Sequence, residues 1–126
     1  MAAERILIVE DNERNMKLFR DVLAAQGYRT LEATSGEQAV QLAVEHAPDV
    51  VLMDVRLPDF DGVEALRRLR SDERTSSIPV LAVTAQAMRG DRERFLSAGF
   101  DGYVPKPVDI RALVETVSDH CERQAR

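Results

Sequence analysis

Two short stretches decide the fold: Ile6-Leu7-Ile8-Val9-Glu10-Asp11 near the start, and Val50-Val51-Leu52-Met53-Asp54 in the middle. Each is an unbroken apolar run, rich in branched side chains, that ends on carboxylates. Strands with one wet face alternate apolar and polar residues, so unbroken runs belong to strands covered on both faces. Such strands call for helices above and below a mostly parallel sheet.

Working outward, the intervening segments carry helical spacing. Met16, Phe19, Val22 and Leu23 recur on one face, and Gly27 supplies a stop. Arg29 to Ala33 reads as a short second strand. Ser35 followed by Gln38 has the form of a capping box, opening a helix with Ala39, Leu42 and Ala43 inward until Pro48 breaks it. After Asp54, a Pro58-Asp59-Phe60-Asp61-Gly62 loop leads to a helix with Val63, Leu66 and Leu69 inward. Ile78 to Val83 reads as a strand ending at Thr84, and Met88 to Ala98 as a helix closed by Gly99. Gly102 to Pro105 forms a short strand, and Ile110, Leu113, Val114 and Val117 give the last helix its inner face.

The order is strand then helix, five times. Parallel strands joined by helices take right-handed crossovers. The expected fold is α/β, a doubly wound, flavodoxin-like five-stranded parallel sheet of order 2-1-3-4-5. These elements occupy residues 1–126 as a single domain.

Composition sets the function classes. With 126 residues, 44% of them hydrophobic, there is enough apolar surface for one core. A net charge of -5 argues against general affinity for nucleic acid, which needs clustered Lys and Arg. The single cysteine, Cys121, allows no intramolecular disulfide and suits a reducing compartment. No run approaches the roughly 18–20 apolar residues of a membrane span, and the start lacks a basic, then apolar, secretion signal. A cytoplasmic protein is expected. His46 and His120 lack metal-ligand spacing and read as surface or rim residues.

In open α/β sheets, ligands sit beyond the carboxyl ends of the strands where strand order reverses. That point lies between the first and third strands, so Glu10, Asp11 and Asp54 should converge. Read singly, they are solvated loop acids or helix caps. Convergent carboxylates repel and raise one another's pKa, a penalty that a hard divalent cation removes. Mg²⁺ takes oxygen ligands and retains several waters, which suits two or three carboxylates. Thr84 and Lys106 end the fourth and fifth strands on the same rim, a hydroxyl donor and a cation suited to a tetrahedral anion.

Glu10-Asp11, Asp54, Thr84 and Lys106-Pro107 together resemble the receiver-domain (CheY-like) family of response regulators along essentially the whole chain. The stretches from Ile6 to Phe19, Ala24 to Tyr28 and Val83 to Asp91 are similar to its single-domain cell-division regulators. The resemblance implies a phosphorelay role, with Asp54 as nucleophile and phosphoacceptor. It implies Mg²⁺ held by Glu10, Asp11, Asp54 and the backbone carbonyl of Arg56. Thr84 would hydrogen-bond the phosphoryl group, Lys106 would pair with it, and Pro107 would follow a cis peptide bond. Thr84 and Tyr103 would form the switch; a full reversal of a two-state population needs about 5.5 kcal/mol. Arg56, Ala85 and Gln86 stand where the family tunes dephosphorylation. Asn12, Arg14, Asn15 and Leu18 stand where phosphodonors dock, although Asn12 also suits a helix cap. The implied partners are a histidine kinase or phosphotransfer protein upstream and a kinase or regulator downstream, with the chain a monomer or weak dimer.

Four rival readings stand against this one. A haloacid-dehalogenase-type phosphatase needs an Asp two residues after its nucleophile, where Arg56 stands. A flavin or nucleotide binder needs a Gly-rich phosphate loop after the first strand, where Glu10-Asp11-Asn12-Glu13 stands. A phosphorylation-independent interaction module has no need of the intact acidic, Thr and Lys set. A receiver belonging to a larger hybrid kinase or multidomain regulator is the fourth.

Overall fold

The unbroken apolar runs become the centre of a sheet covered on both faces. The structure is a computed structural model that describes residues 4–85 and 90–125, without the side chains of Asp91 and residues 122–125. Its elements run β1 (Arg5–Val9), α1 (Glu13–Ala25), β2 (Arg29–Ala33), α2 (Gly36–His46), β3 (Val50–Asp54), α3 (Gly62–Arg70), β4 (Val80–Thr84), α4 (Asp91–Ala98), β5 (Gly102–Pro105) and α5 (Ile110–Ala125). Every pairing is parallel, and the strand order is β2-β1-β3-β4-β5.

Successive strand residues point to opposite faces, which splits the core in two. Leu7, Val9, Val51, Met53, Val80 and Ala82 face Ala39 and Ala43 of α2, Leu66 and Leu69 of α3, and Phe95 of α4. Ile6, Ile8, Val50, Leu52, Leu81 and Val83 face Met16, Phe19 and Leu23 of α1, and Leu113 and Val117 of α5. Burying each large apolar side chain of this kind stabilises by roughly 1.5–3 kcal/mol before conformational entropy is counted.

Four helices begin on side-chain caps that satisfy orphan amides, Asp109 serving α5 by accepting from the Ala112 N–H at 3.1 Å. Asn12 accepts from the Asn15 N–H at 3.0 Å, Ser35 from Gln38 at 3.2 Å and Asp61 from Glu64 at 2.9 Å. The capping box is shifted: Gln38 Oε1 accepts from the Thr34 N–H at 2.8 Å.

The structure departs from the sequence reading at several points. β4 starts at Val80, two residues later than the apolar run suggests. Pro79 has no N–H for the ladder, and the Ile78 N–H closes a turn onto Thr75 at 3.2 Å. Val63 and Ile110 are 37% and 50% exposed, so the buried stripes pass through Ala65, Leu66 and Leu69 in α3 and begin at Leu113 in α5. His120 is buried, with Nδ1 2.7 Å from the Thr116 carbonyl oxygen and Nε2 3.1 Å from that of Asp101. Gly102 makes room for it, since a Cβ there would stand 3.2 Å from His120 Cε1. The expected helix start at Met88 falls outside the described residues, and α4 is described from Asp91. No helix among the described residues is long and apolar enough to cross a membrane.

Candidate functional site

The strand order makes β1 and β3 neighbours, with Val9 opposite Met53. The next residues on each side are therefore Glu10 and Asp54. Together with Asp11 they offer carboxylate oxygens that all lie within 4.8 Å of one another. Glu10 and Asp54 are 1% and 6% exposed, while Asp11 is open to solvent. The Asn12 N–H donates to Glu10 Oε2 at 3.2 Å, and the Arg56 N–H donates to Asp54 Oδ1 at 3.0 Å.

Lys106 arrives from the other side. Thr84 pairs with Pro105 across β4 and β5, and the Lys106 N–H donates to the Thr84 carbonyl at 2.8 Å. The Lys106–Pro107 peptide is cis. Lys106 Nζ lies 2.9 Å from Glu10 Oε1 and 3.3 Å from Asp54 Oδ2, a single cation between two buried carboxylates. Burial works against its charge, but the Glu10 and Asp54 carboxylates outweigh it and raise its pKa. Glu10 is pushed up to about 7, chiefly by burial and then by Asp54, with Lys106 and the Asn12 N–H acting against the rise.

These residues fit a divalent cation. Three carboxylates face one ammonium, so the cluster is short of positive charge. Glu10 Oε1 is buried without a well-aligned hydrogen bond, and Lys106 Nζ at 2.9 Å is its counter-charge. A buried oxygen without an aligned donor is costly in a protein interior and is an available metal ligand. Glu10, Asp11 and Asp54 would hold the ion.

A cavity of about 280 Å³ opens over this cluster, lined by Glu10, Asp11, Asn12, Asn15, Asp54, Arg56, Ala85 and Lys106. Eight residues singled out in the sequence thus share one space. Thr84 is buried at the end of β4. Tyr103 lies further away, half-buried against the α2–α4 side of the core and stacked on Phe95 at 6.0 Å between ring centroids. Arg14 and Leu18 lie on α1 outside the cavity lining, and Leu18 is 38% exposed. Gln86 lies outside the described residues.

The sequence reading missed one set. Asp59 accepts from the Gly36 and Glu37 amides at 2.9 Å each, capping α2 from the loop after β3. Phe60 packs over Gly36, with the Arg68 guanidinium carbon 4.1 Å from its ring centroid. The local signal was a Pro-Asp-Phe-Asp-Gly string that reads simply as a turn. Only the fold brings it to residues 22 and 23 positions earlier.

Known proteins are similar to this chain in sequence and in fold. Residues 6–118 match the response regulator receiver domain. The polar-differentiation response regulator DivK of Brucella ovis is 48% identical over 115 residues, which are 91% of this chain and 94% of that protein. DivK of Brucella anthropi is 46% identical over the same shares. Among solved structures, the receiver domain of a Pseudomonas aeruginosa sensor histidine kinase is similar at TM-score 0.88 and 38% identity, covering 96% of this chain and 99% of that one. It was solved with a magnesium ion coordinated in its active-site cleft. A putative response regulator from Chloroflexus aurantiacus superposes at TM-score 0.91 with 31% identity, covering 96% and 99%. With the acidic strand ends, the rim lysine and the strand order all in place, this chain belongs to the receiver domains of two-component response regulators.

Proposed function

We propose that Asp54 accepts a phosphoryl group from a phosphohistidine donor and that the modified chain signals through protein–protein contacts. The observation that carries this reading is the buried Asp54 carboxylate facing a cavity beside Glu10, Asp11 and Lys106. An Asp54 carboxylate oxygen attacks phosphorus as the donor's N–P bond breaks, and the released imidazole takes up a proton. The Arg56 N–H holds Oδ1 and orients the carboxylate. Lys106 pairs with a phosphoryl oxygen, and Thr84 donates a hydrogen bond to another. Bound Mg²⁺ supplies charge neutralisation for phosphoryl oxygens as the transfer proceeds. Glu10, Asp11, Asp54 and the Arg56 carbonyl would hold it.

Thr84 and Tyr103 form the conformational switch, and Arg56, Ala85 and Gln86 set the phosphoryl lifetime. Asn12, Arg14, Asn15 and Leu18 dock a histidine kinase or phosphotransfer protein. Downstream, the client is a kinase or regulator, met by a cytoplasmic monomer or weak dimer in which residues 1–126 act as one domain. The likeness to DivK favours a cell-division regulator of that type over a module of a hybrid kinase. The test is incubation with acetyl phosphate and Mg²⁺, read by intact mass. Wild type should gain one phosphoryl group and Asp54→Asn none; labelling that survives the substitution overturns the reading.

A further inference from the structure

We propose that Asp59 is a positioning residue for the phosphorylation site: by gripping the amino end of α2 it holds the β3–α3 loop so that Arg56 keeps Asp54 oriented. The proposal rests on Asp54 being the acceptor, and its test separates the two.

The loop is tied at both ends to the backbone just after β3. At its start, the Arg56 N–H donates to Asp54 Oδ1 at 3.0 Å. At its finish, the Gly62 N–H donates to the Val55 carbonyl at 2.8 Å. A Cβ on Gly62 would stand 2.7 Å from the Asp54 carbonyl oxygen and 2.9 Å from Val55 Cα, so nothing larger than glycine can close it. Between these ties, the loop's lateral anchor is Asp59. Its Oδ1 accepts from the Gly36 N–H and its Oδ2 from the Glu37 N–H, both at 2.9 Å.

The α2 end is shaped to receive the loop. A Cβ at Gly36 would overlap the Phe60 ring at 2.3 Å, so the absence of a side chain lets that ring lie against the helix. Ser35 separately satisfies the Gln38 amide. The Asp59 carboxylate thus takes two orphan donors at the positive end of a helix dipole. Through Arg56 this grip reaches the acceptor: Oδ1 stays on the backbone amide, and Oδ2 is left facing Lys106.

Ser35→Ala provides the discriminating comparison, since the Ser35 hydroxyl caps the same helix end through the Gln38 N–H and not through the loop. Mg²⁺ affinity is measured by calorimetry and Arg56 amide exchange by NMR, on the full chain. Both Asp59→Ala and Ser35→Ala should lower Tm. Only Asp59→Ala should speed Arg56 amide exchange and weaken Mg²⁺ binding, by about tenfold, the lower end for outer-sphere partners. Asp59→Asn keeps one accepting oxygen and should recover part of both. Wild-type affinity and Arg56 protection in Asp59→Ala would overturn the proposal, as would equal effects in Ser35→Ala. If Asp59→Ala does not fold, Asp59→Asn against Ser35→Ala makes the same comparison. Should wild type bind no Mg²⁺, the functional reading fails, and Arg56 exchange alone decides the clamp.

Discussion

Lys106 Nζ lies 3.3 Å from Asp54 Oδ2 across 52 residues of sequence. The same ammonium is 2.9 Å from Glu10 Oε1, so a lysine does in this cluster part of what a metal ion would do. A bound Mg²⁺ would therefore compete with Lys106 for the same negative charge.

Replacing Lys106 by Met should expose that competition. Without Mg²⁺, the variant leaves two buried carboxylates with no cation and should lose about 2 kcal/mol in urea unfolding. That is below the roughly 3–5 kcal/mol of a fully buried pair, because the Lys106 side chain keeps 18% exposure. Calorimetry should show Mg²⁺ binding Lys106→Met several-fold more tightly than wild type. Weaker binding would contradict the competition.

Stability should vary with pH in two windows of opposite sign. Glu10, raised from 4.5 to about 7 by burial and Asp54, binds a proton in the folded state that the unfolded chain has already released. Metal-free protein should therefore lose stability as pH rises from about 4.5 to 7, and Glu10→Gln should flatten that slope. Asp59 is held at about 2 because amide donors of Glu37 and Gly36 outweigh its partial desolvation. Glu64 is also near 2 through Arg67 and Arg68. Their contribution is present above the ordinary carboxyl range and is lost as pH falls toward 2. Thermal melts across pH 2–8 check both slopes.

Most of this architecture is legible in the sequence because the strands are apolar runs with charged ends. Ile6 to Val9 and Val50 to Met53 read as doubly covered strands, and the reversal of strand order between them brings Glu10 and Asp54 together. What escaped depends on contacts rather than pattern. Val63 has the spacing of a core residue but sits at the edge of its helix stripe. His120 looks like a surface histidine until Gly102 is seen to make space for it. Asp59 carries no local mark of its tie to Gly36, since its bonds span more than twenty residues.

Gly62 tests how tightly the β3–α3 loop closes. An added methyl would meet backbone atoms on β3 and the residue after it, which no rotamer change can relieve. Gly62→Ala should cost roughly 1–3 kcal/mol, the range for forced overpacking. It should also disturb the NMR signals of Asp54, Val55 and Arg56. A variant of wild-type stability would mean that the loop yields more readily than its contacts indicate.

Cys121 should behave as a packing residue. It is 4% exposed among Ile6, Leu113 and Val117, and its thiol is pushed up to about 11, first by burial and then by the negative charges of Glu4 and Asp49. Only the thiolate is an effective nucleophile. Relative to an ordinary value of 9.0, that shift leaves about a hundredfold less thiolate near pH 8. Iodoacetamide should modify native protein at least a hundredfold more slowly than urea-unfolded protein, with burial slowing it further. Destabilising variants such as Gly62→Ala should speed modification in step with their loss of stability, because reaction then proceeds through opening of the fold. Rapid native labelling at the unfolded rate would show instead that the end of α5 detaches independently of the core.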